Sequence, residues 1–191
     1  MGDVFDIETD IRVALQNDFQ ELFRVCCHLH RENGQHEFSD ERSKRFIWKG
    51  CNRDNSIIFV IGPSNNIKAV LYLEVQQIYY SDERQLGEAF LYVREDHRKS
   101  DFAKRLIRHA KRCSEETQLD LMMGVLSDHR LAGKKRLYDR EFTEGGNGVF
   151  YVHRPRSRGE RTGFNVGPTQ GSLDLRPGDG GVSLAPEAGT G

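Results

Sequence analysis

The chain has 191 residues, 37% apolar and 30% charged, with a formal net charge of −1. That length suits one well-cored domain rather than two. The near-neutral charge argues against wholesale binding to nucleic acid or an anionic membrane, so any basic patch is local. No apolar run approaches the ~18–20 residues that span a bilayer. The acidic start MGDVFDIETD lacks the basic flank and apolar core of a signal peptide, which implies a chain kept in a reducing cytoplasm.

In chain order, Asp3–Glu8 can be a short strand. From Asp10 as N-cap, the series Ile11, Leu15, Phe19, Leu22, Cys26, Leu29 follows helical spacing and ends near Asn33 and Gly34. Cys26 and His30 share a face of that helix, but two side chains from one turn do not close a metal site, and none of the four cysteines has CxxC spacing. No metal is expected. Ser39–Lys49 reads as a second helix capped by Ser39. Ile57–Ile61 and Ile67–Tyr79 read as a hairpin broken by the turn over residues 62–66. Leu86–Val93 is the next strand, followed by a helix over Ser100–Glu116. Leu119–Leu126 is a strand, Leu131–Arg140 a helix and Val149–His153 a last strand. The order predicts an α/β domain over residues 1–153, with antiparallel hairpins first and a crossover unit after.

Composition changes after His153. Residues 154–191 hold nine of the 19 glycines and four of the five prolines, with apolar residues scattered at no sustained period. Such a segment buries too little to offset its ordering entropy, which predicts an extended or disordered tail.

The most informative stretch is Phe90–Ala110: strand, charged turn, amphipathic helix. A helix entered in this way presents unpaired N–H groups and a positive dipole end at the turn, a seat for phosphate. Between Arg94 and Arg112 there are eight Lys/Arg and three acids. As plain structure, Phe102, Ala103, Leu106, Ile107, Ala110 and Cys113 form the buried stripe, and the cations are its wet face.

The turn Arg98-Lys99-Ser100-Asp101-Phe102-Ala103 and the later segment Leu137-Tyr138-Asp139-Arg140-Glu141-Phe142 resemble motifs of the GNAT superfamily of acyl-CoA-dependent N-acyltransferases. Those enzymes carry an (R/Q)-x-x-G-x-(G/A) turn and an L-Y-x-x-x-F-like helix. The resemblance spans roughly Val4 to His153. It implies a mixed, mostly antiparallel central sheet flanked by about four helices, with a V-shaped splay between the strands Leu86–Val93 and Leu119–Leu126. It also implies acetyl-CoA as co-substrate. Leu91, Tyr92 and Val93 would pair with the pantetheine arm, and Arg98 to Lys104 would cradle the diphosphate. Backbone N–H near Tyr92 or Val93 would stabilise the oxyanion. Asp101 stands where the family has its central glycine. A carboxylate there either faces the diphosphate and repels it, or faces solvent and supports the helix start.

The resemblance implies Tyr138 as the acid that protonates the departing thiolate; its alternative role is packing the helix onto the sheet. A base is needed to deprotonate the amine, and Glu88 and Glu74 are the candidates. Ser127-Asp128-His129 is not a hydrolase triad, because adjacent residues cannot supply that geometry. The activity implied is acyl transfer to an amine acceptor whose identity has no code in the sequence. The alternative is a non-catalytic module of the same fold, anchored in an assembly such as a virion, or in a homo-oligomer, by its C-terminal tail.

Overall fold

The computed structural model describes residues 10–33, 36–124, 131–142 and 150–153. The chain divides into two units, Met1–Gly159 and Glu160–Gly191, and every described residue belongs to the first. The strand expected over Asp3–Glu8, the Ser127-Asp128-His129 segment and the tail over 154–191 lie outside the described residues.

The elements are β1 (Ile11–Val13), α1 (Phe19–Asn33), α2 (Asp40–Cys51), β2 (Ser56–Ile61), β3 (Ala69–Gln77), β4 (Arg84–Val93), α3 (Phe102–Thr117), β5 (Asp120–Gly124), α4 (Leu131–Glu141) and β6 (Phe150–His153). One sheet takes the strands in sequence order, β1 to β6; only β4–β5 is parallel, the pair joined through α3. That is the mixed sheet with four flanking helices expected from the sequence. Among the described residues no helix is long and apolar enough to cross a membrane.

The start of the chain differs from expectation. Ile11–Val13, predicted as helix, pairs antiparallel with Phe59–Ile61 of β2. The cause is Asp18, fully buried, which accepts the Leu15 N–H at 2.8 Å and both ends of the Arg12 guanidinium at 2.7 Å each. That knot fixes a tight turn over residues 16–18 and delays the helix to Phe19. Asp18, not Asp10, shapes the entry. Leu15, despite its helical spacing, is half exposed. Ser39 does cap α2, accepting the Arg42 N–H at 3.4 Å.

Strand alternation sorts the core into two layers. Phe59, Ile61, Leu71 and Leu73 face α3 and α4, where they meet Leu106, Ile107, Ala110 and Tyr138. Ile58, Val60, Val70 and Tyr72 face α1 and α2, against Leu22, Val25 and Ile47. Each of the fully buried Leu and Ile side chains contributes roughly 1.5–3 kcal/mol. α2 lies close on the sheet because residue 50 is glycine; a Cβ there would sit 2.5 Å from Ile58 Cδ1. Tyr72 anchors the same contact, donating its hydroxyl to the Phe46 carbonyl at 2.8 Å and stacking on the Phe46 ring.

Two irregularities in β4 position the site. Tyr72 pairs with Phe90 and Leu73 with Glu88, so Ala89 is a surplus residue, a β-bulge that bends the strand. Pairing with β5 stops just before it, at Gly87 opposite Met122. β4 then continues with β3 as far as Val93, while β5 continues with β6. The two central strands therefore part, leaving the expected splay.

Candidate active site

A cavity of about 580 Å³ fills the gap between β4 and β5. It is lined from both faces of the sheet: Leu29, Glu32 and Asn33 come from α1, and Ala103, Lys104, Leu137 and Tyr138 from α3 and α4. A gap in a sheet exposes backbone groups that a continuous ladder would satisfy. Beyond Gly87 the edge of β4 that faced β5 borders the cavity, and there the Val93 carbonyl accepts from Arg98 Nε at 3.2 Å.

Glu88 sits where the strands separate. Its Oε2 accepts the Gly124 N–H at 3.2 Å, a bond that lies past the last β4–β5 pair. The side chain thus stands in for a missing ladder carbonyl and wedges the strands apart. From α4, Tyr138 Oη donates to the same carboxylate, 2.9 Å from Oε1 and 2.8 Å from Oε2. Tyr138 is 4% exposed, and its ring also meets Phe142 edge-on at 6.1 Å. It therefore packs the helix and touches the carboxylate at once. Burial dominates the Glu88 environment and pushes its acid up to about 7, against the bonds from Tyr138 and Gly124 and the nearby charge of Lys134. A carboxyl poised near neutrality and bonded to a phenol can exchange a proton with it.

Glu74 is not part of it. It lies on the α1/α2 side of β3, paired with Lys49 Nζ at 3.0 Å, and does not line the cavity. Leu91, Tyr92 and Val93 do line it; the Leu91 and Val93 side chains pack toward α3 and α4, and Tyr92 toward α1 and α2.

At the other end is the turn into α3. Arg98, Ser100, Asp101, Ala103 and Lys104 line the cavity, whereas Lys99 and Phe102 do not: Lys99 is exposed and Phe102 packs on the core. Ser100 Oγ donates to the His97 carbonyl at 2.6 Å and receives the Phe102 N–H at 3.3 Å. The next N–H groups, of Ala103 and Lys104, have no partner one turn back. Lys104 itself is half-buried in the first turn, where a cation opposes the helix dipole, and it has no ion-pair partner among the described residues. Arg98 is bound within the protein, its Nε donating to the Val93 carbonyl at 3.2 Å and its Nη2 to Glu32.

Asp101 resolves in favour of solvent. Its side chain is 65% exposed, 4.0 Å from Arg105, and makes no capping bond. Its φ of −89° is ordinary, so nothing in this turn requires the left-handed conformation that glycine allows. The carboxylate in the glycine position does not strain the backbone, and it stands at the wet rim of the cavity.

Cys26 belongs to the core, where burial pushes its thiol up to about 12, and His30 turns to the His36 carbonyl. Of the residues that complete the site, Glu32 and Asn33 had no local signal. Lys134 did, standing one helical turn before Tyr138 and so on the same face.

No family model and no curated sequence matches the chain. Solved structures do match. A possible acetyltransferase from Clostridium difficile 630 aligns at a TM-score of 0.59 and 14% identity, over 72% of this chain and 92% of that one. Arabidopsis thaliana NAA60 in complex with a bisubstrate analogue aligns at 0.57 and 17%, over 76% and 97%. A predicted acetyltransferase with acetyl-CoA from Clostridium acetobutylicum aligns at 0.55 and 16%, over 66% and 86%. The fold is that of the GNAT superfamily.

Proposed function

We propose that this protein transfers an acyl group, in the simplest case acetyl, from a coenzyme A thioester to an amine. The observation that carries the proposal is the Glu88–Tyr138 pair, held at the point where β4 and β5 part. The fit of the coenzyme is supported by Lys104, a cation in the cavity beside open helix N–H groups, with no ion-pair partner among the described residues. Acetyl-CoA bound to a protein of the same fold supports it too.

The coenzyme supplies an acyl carbon activated as a thioester. The edge of β4 over Leu91–Val93, unpaired with β5, would align the pantetheine arm as an added strand. The Ala103 and Lys104 amides and the Lys104 ammonium hold the diphosphate. Glu88 takes the proton of the incoming ammonium, which its acidity near neutrality permits at physiological pH. Tyr138 gives its hydroxyl proton to the departing sulfur and recovers one from Glu88 across their hydrogen bond. Two protons leave the ammonium nitrogen on its way to the amide: one reaches sulfur through the pair, which returns to its starting state, and the other passes to solvent. Because the cavity reaches residues on both sheet faces, the amine would approach from the α1 side, away from the coenzyme.

The test is calorimetric titration of acetyl-CoA into the full chain. We expect micromolar binding, about tenfold weaker in Lys104→Met for loss of a charge-assisted contact, and changed less than threefold in Asp101→Gly. Absence of binding by the unaltered protein overturns the proposal.

A further inference from the structure

The Glu32–Arg98 pair takes no part in the chemistry above. It joins the last turn of α1 to the turn before α3, across 66 residues of sequence, and both partners line the cavity. Their side chains are 22% and 15% exposed. Arg98 Nη2 donates to Glu32 Oε1, Nε donates to the Val93 carbonyl at 3.2 Å, and the guanidinium lies 6.0 Å from the Tyr92 ring. The guanidinium in the position that the turn motif offers to a diphosphate thus already holds an anion belonging to the chain.

A carboxylate and a diphosphate suit the same planar fork of donors. A largely buried guanidinium is costly without an anion, so Glu32 stabilises the ligand-free site. The same contact must weaken any ligand that needs Arg98. Resting on the acyl-CoA function proposed above, we infer that Glu32 is an internal competitor of the coenzyme: it occupies the Arg98 guanidinium until the diphosphate displaces it, and so sets the affinity of the site. Glu32 is then a positioning residue, acting through Arg98 and not on the reacting atoms.

A double-mutant cycle tests this, with coenzyme A titrated by calorimetry into the unaltered full chain, Glu32→Gln, Arg98→Ala and the double variant. Thermal melts confirm that each is folded, and Glu32→Ala serves as a second truncation. Glu32→Gln should tighten Kd by about tenfold, the scale of one charge-assisted contact. In the Arg98→Ala background the same change should have no effect. Unchanged or weaker binding by Glu32→Gln overturns the inference, since Glu32 would then be orienting Arg98 for the ligand. Equal tightening with and without Arg98 also overturns it, because that is the general effect of removing a negative charge. If none of the four proteins binds coenzyme A, the acyl-CoA function falls as well. Binding with a flat cycle sinks only the competitor.

Discussion

Replacing Glu88 by glutamine removes an ionisation that the cleft opposes. An ordinary glutamic acid loses its proton near 4.5, whereas burial holds that of Glu88 to about 7 in the folded protein. Between these values the folded chain keeps a proton that the unfolded chain releases. Stability therefore falls as pH rises through this window, and the cost is fully present above about 7. The difference corresponds to on the order of 3 kcal/mol. This is an upper bound, because Glu88 retains some contact with solvent in the cavity. The Glu88→Gln variant carries no such burden: its amide resembles the protonated acid at every pH. Urea unfolding of both proteins should give similar stability near pH 5 and a variant more stable by 1–3 kcal/mol, roughly, at pH 8.5. The experiment needs neither coenzyme nor acceptor. A stability difference that stays constant from pH 5 to 8.5 would refute the claim that the site disfavours the carboxylate.

Two more predictions concern single contacts. Tyr138→Phe removes a hydrogen bond that lowers the Glu88 acid, so the midpoint of the kcat/KM profile should move to higher pH. kcat should fall by about a hundredfold or more for loss of the proton donor to sulfur. An unmoved midpoint with unimpaired turnover would leave Tyr138 a packing residue. Burial disfavours the ionised Asp18, but Arg12, the Leu15 N–H and Ser64 outweigh it and hold the acid below its usual range. Arg12→Met strands that carboxylate and should cost about 3–5 kcal/mol in urea unfolding near pH 7. The gap should narrow at acid pH, where Asp18 in the variant becomes protonated. A loss under ~1 kcal/mol would show that Arg12 is dispensable.

Much of the fold was legible because its signals are local. Ser39 and the apolar stripe of α3 each announce themselves within one turn. β1 was illegible because Ile11 and Leu15 keep helical spacing by coincidence, while the residue that breaks it, Asp18, works through a guanidinium six positions away. Glu88 and Tyr138 could be named separately, but their contact spans 50 residues and depends on the whole sheet. Glu74 and Glu88 look equivalent in sequence, each a glutamate within a strand. Strand register puts one toward Lys49 and the other toward Tyr138. The orientation of Asp101 was likewise a matter of backbone angles that no residue identity dictates.

The bulge at Ala89 has an implication for how such a cleft arises. Leu73 faces Glu88 and Tyr72 faces Phe90, so the register of β4 against β3 shifts by one residue across Ala89. Omitting Ala89 would leave Leu91, Tyr92 and Val93 in their present layers and straighten the strand toward its neighbour. One amino acid thus separates this open architecture from a seamless sheet with the same interior. A lineage could gain or lose the opening by a three-nucleotide insertion or deletion without redesigning its hydrophobic layers.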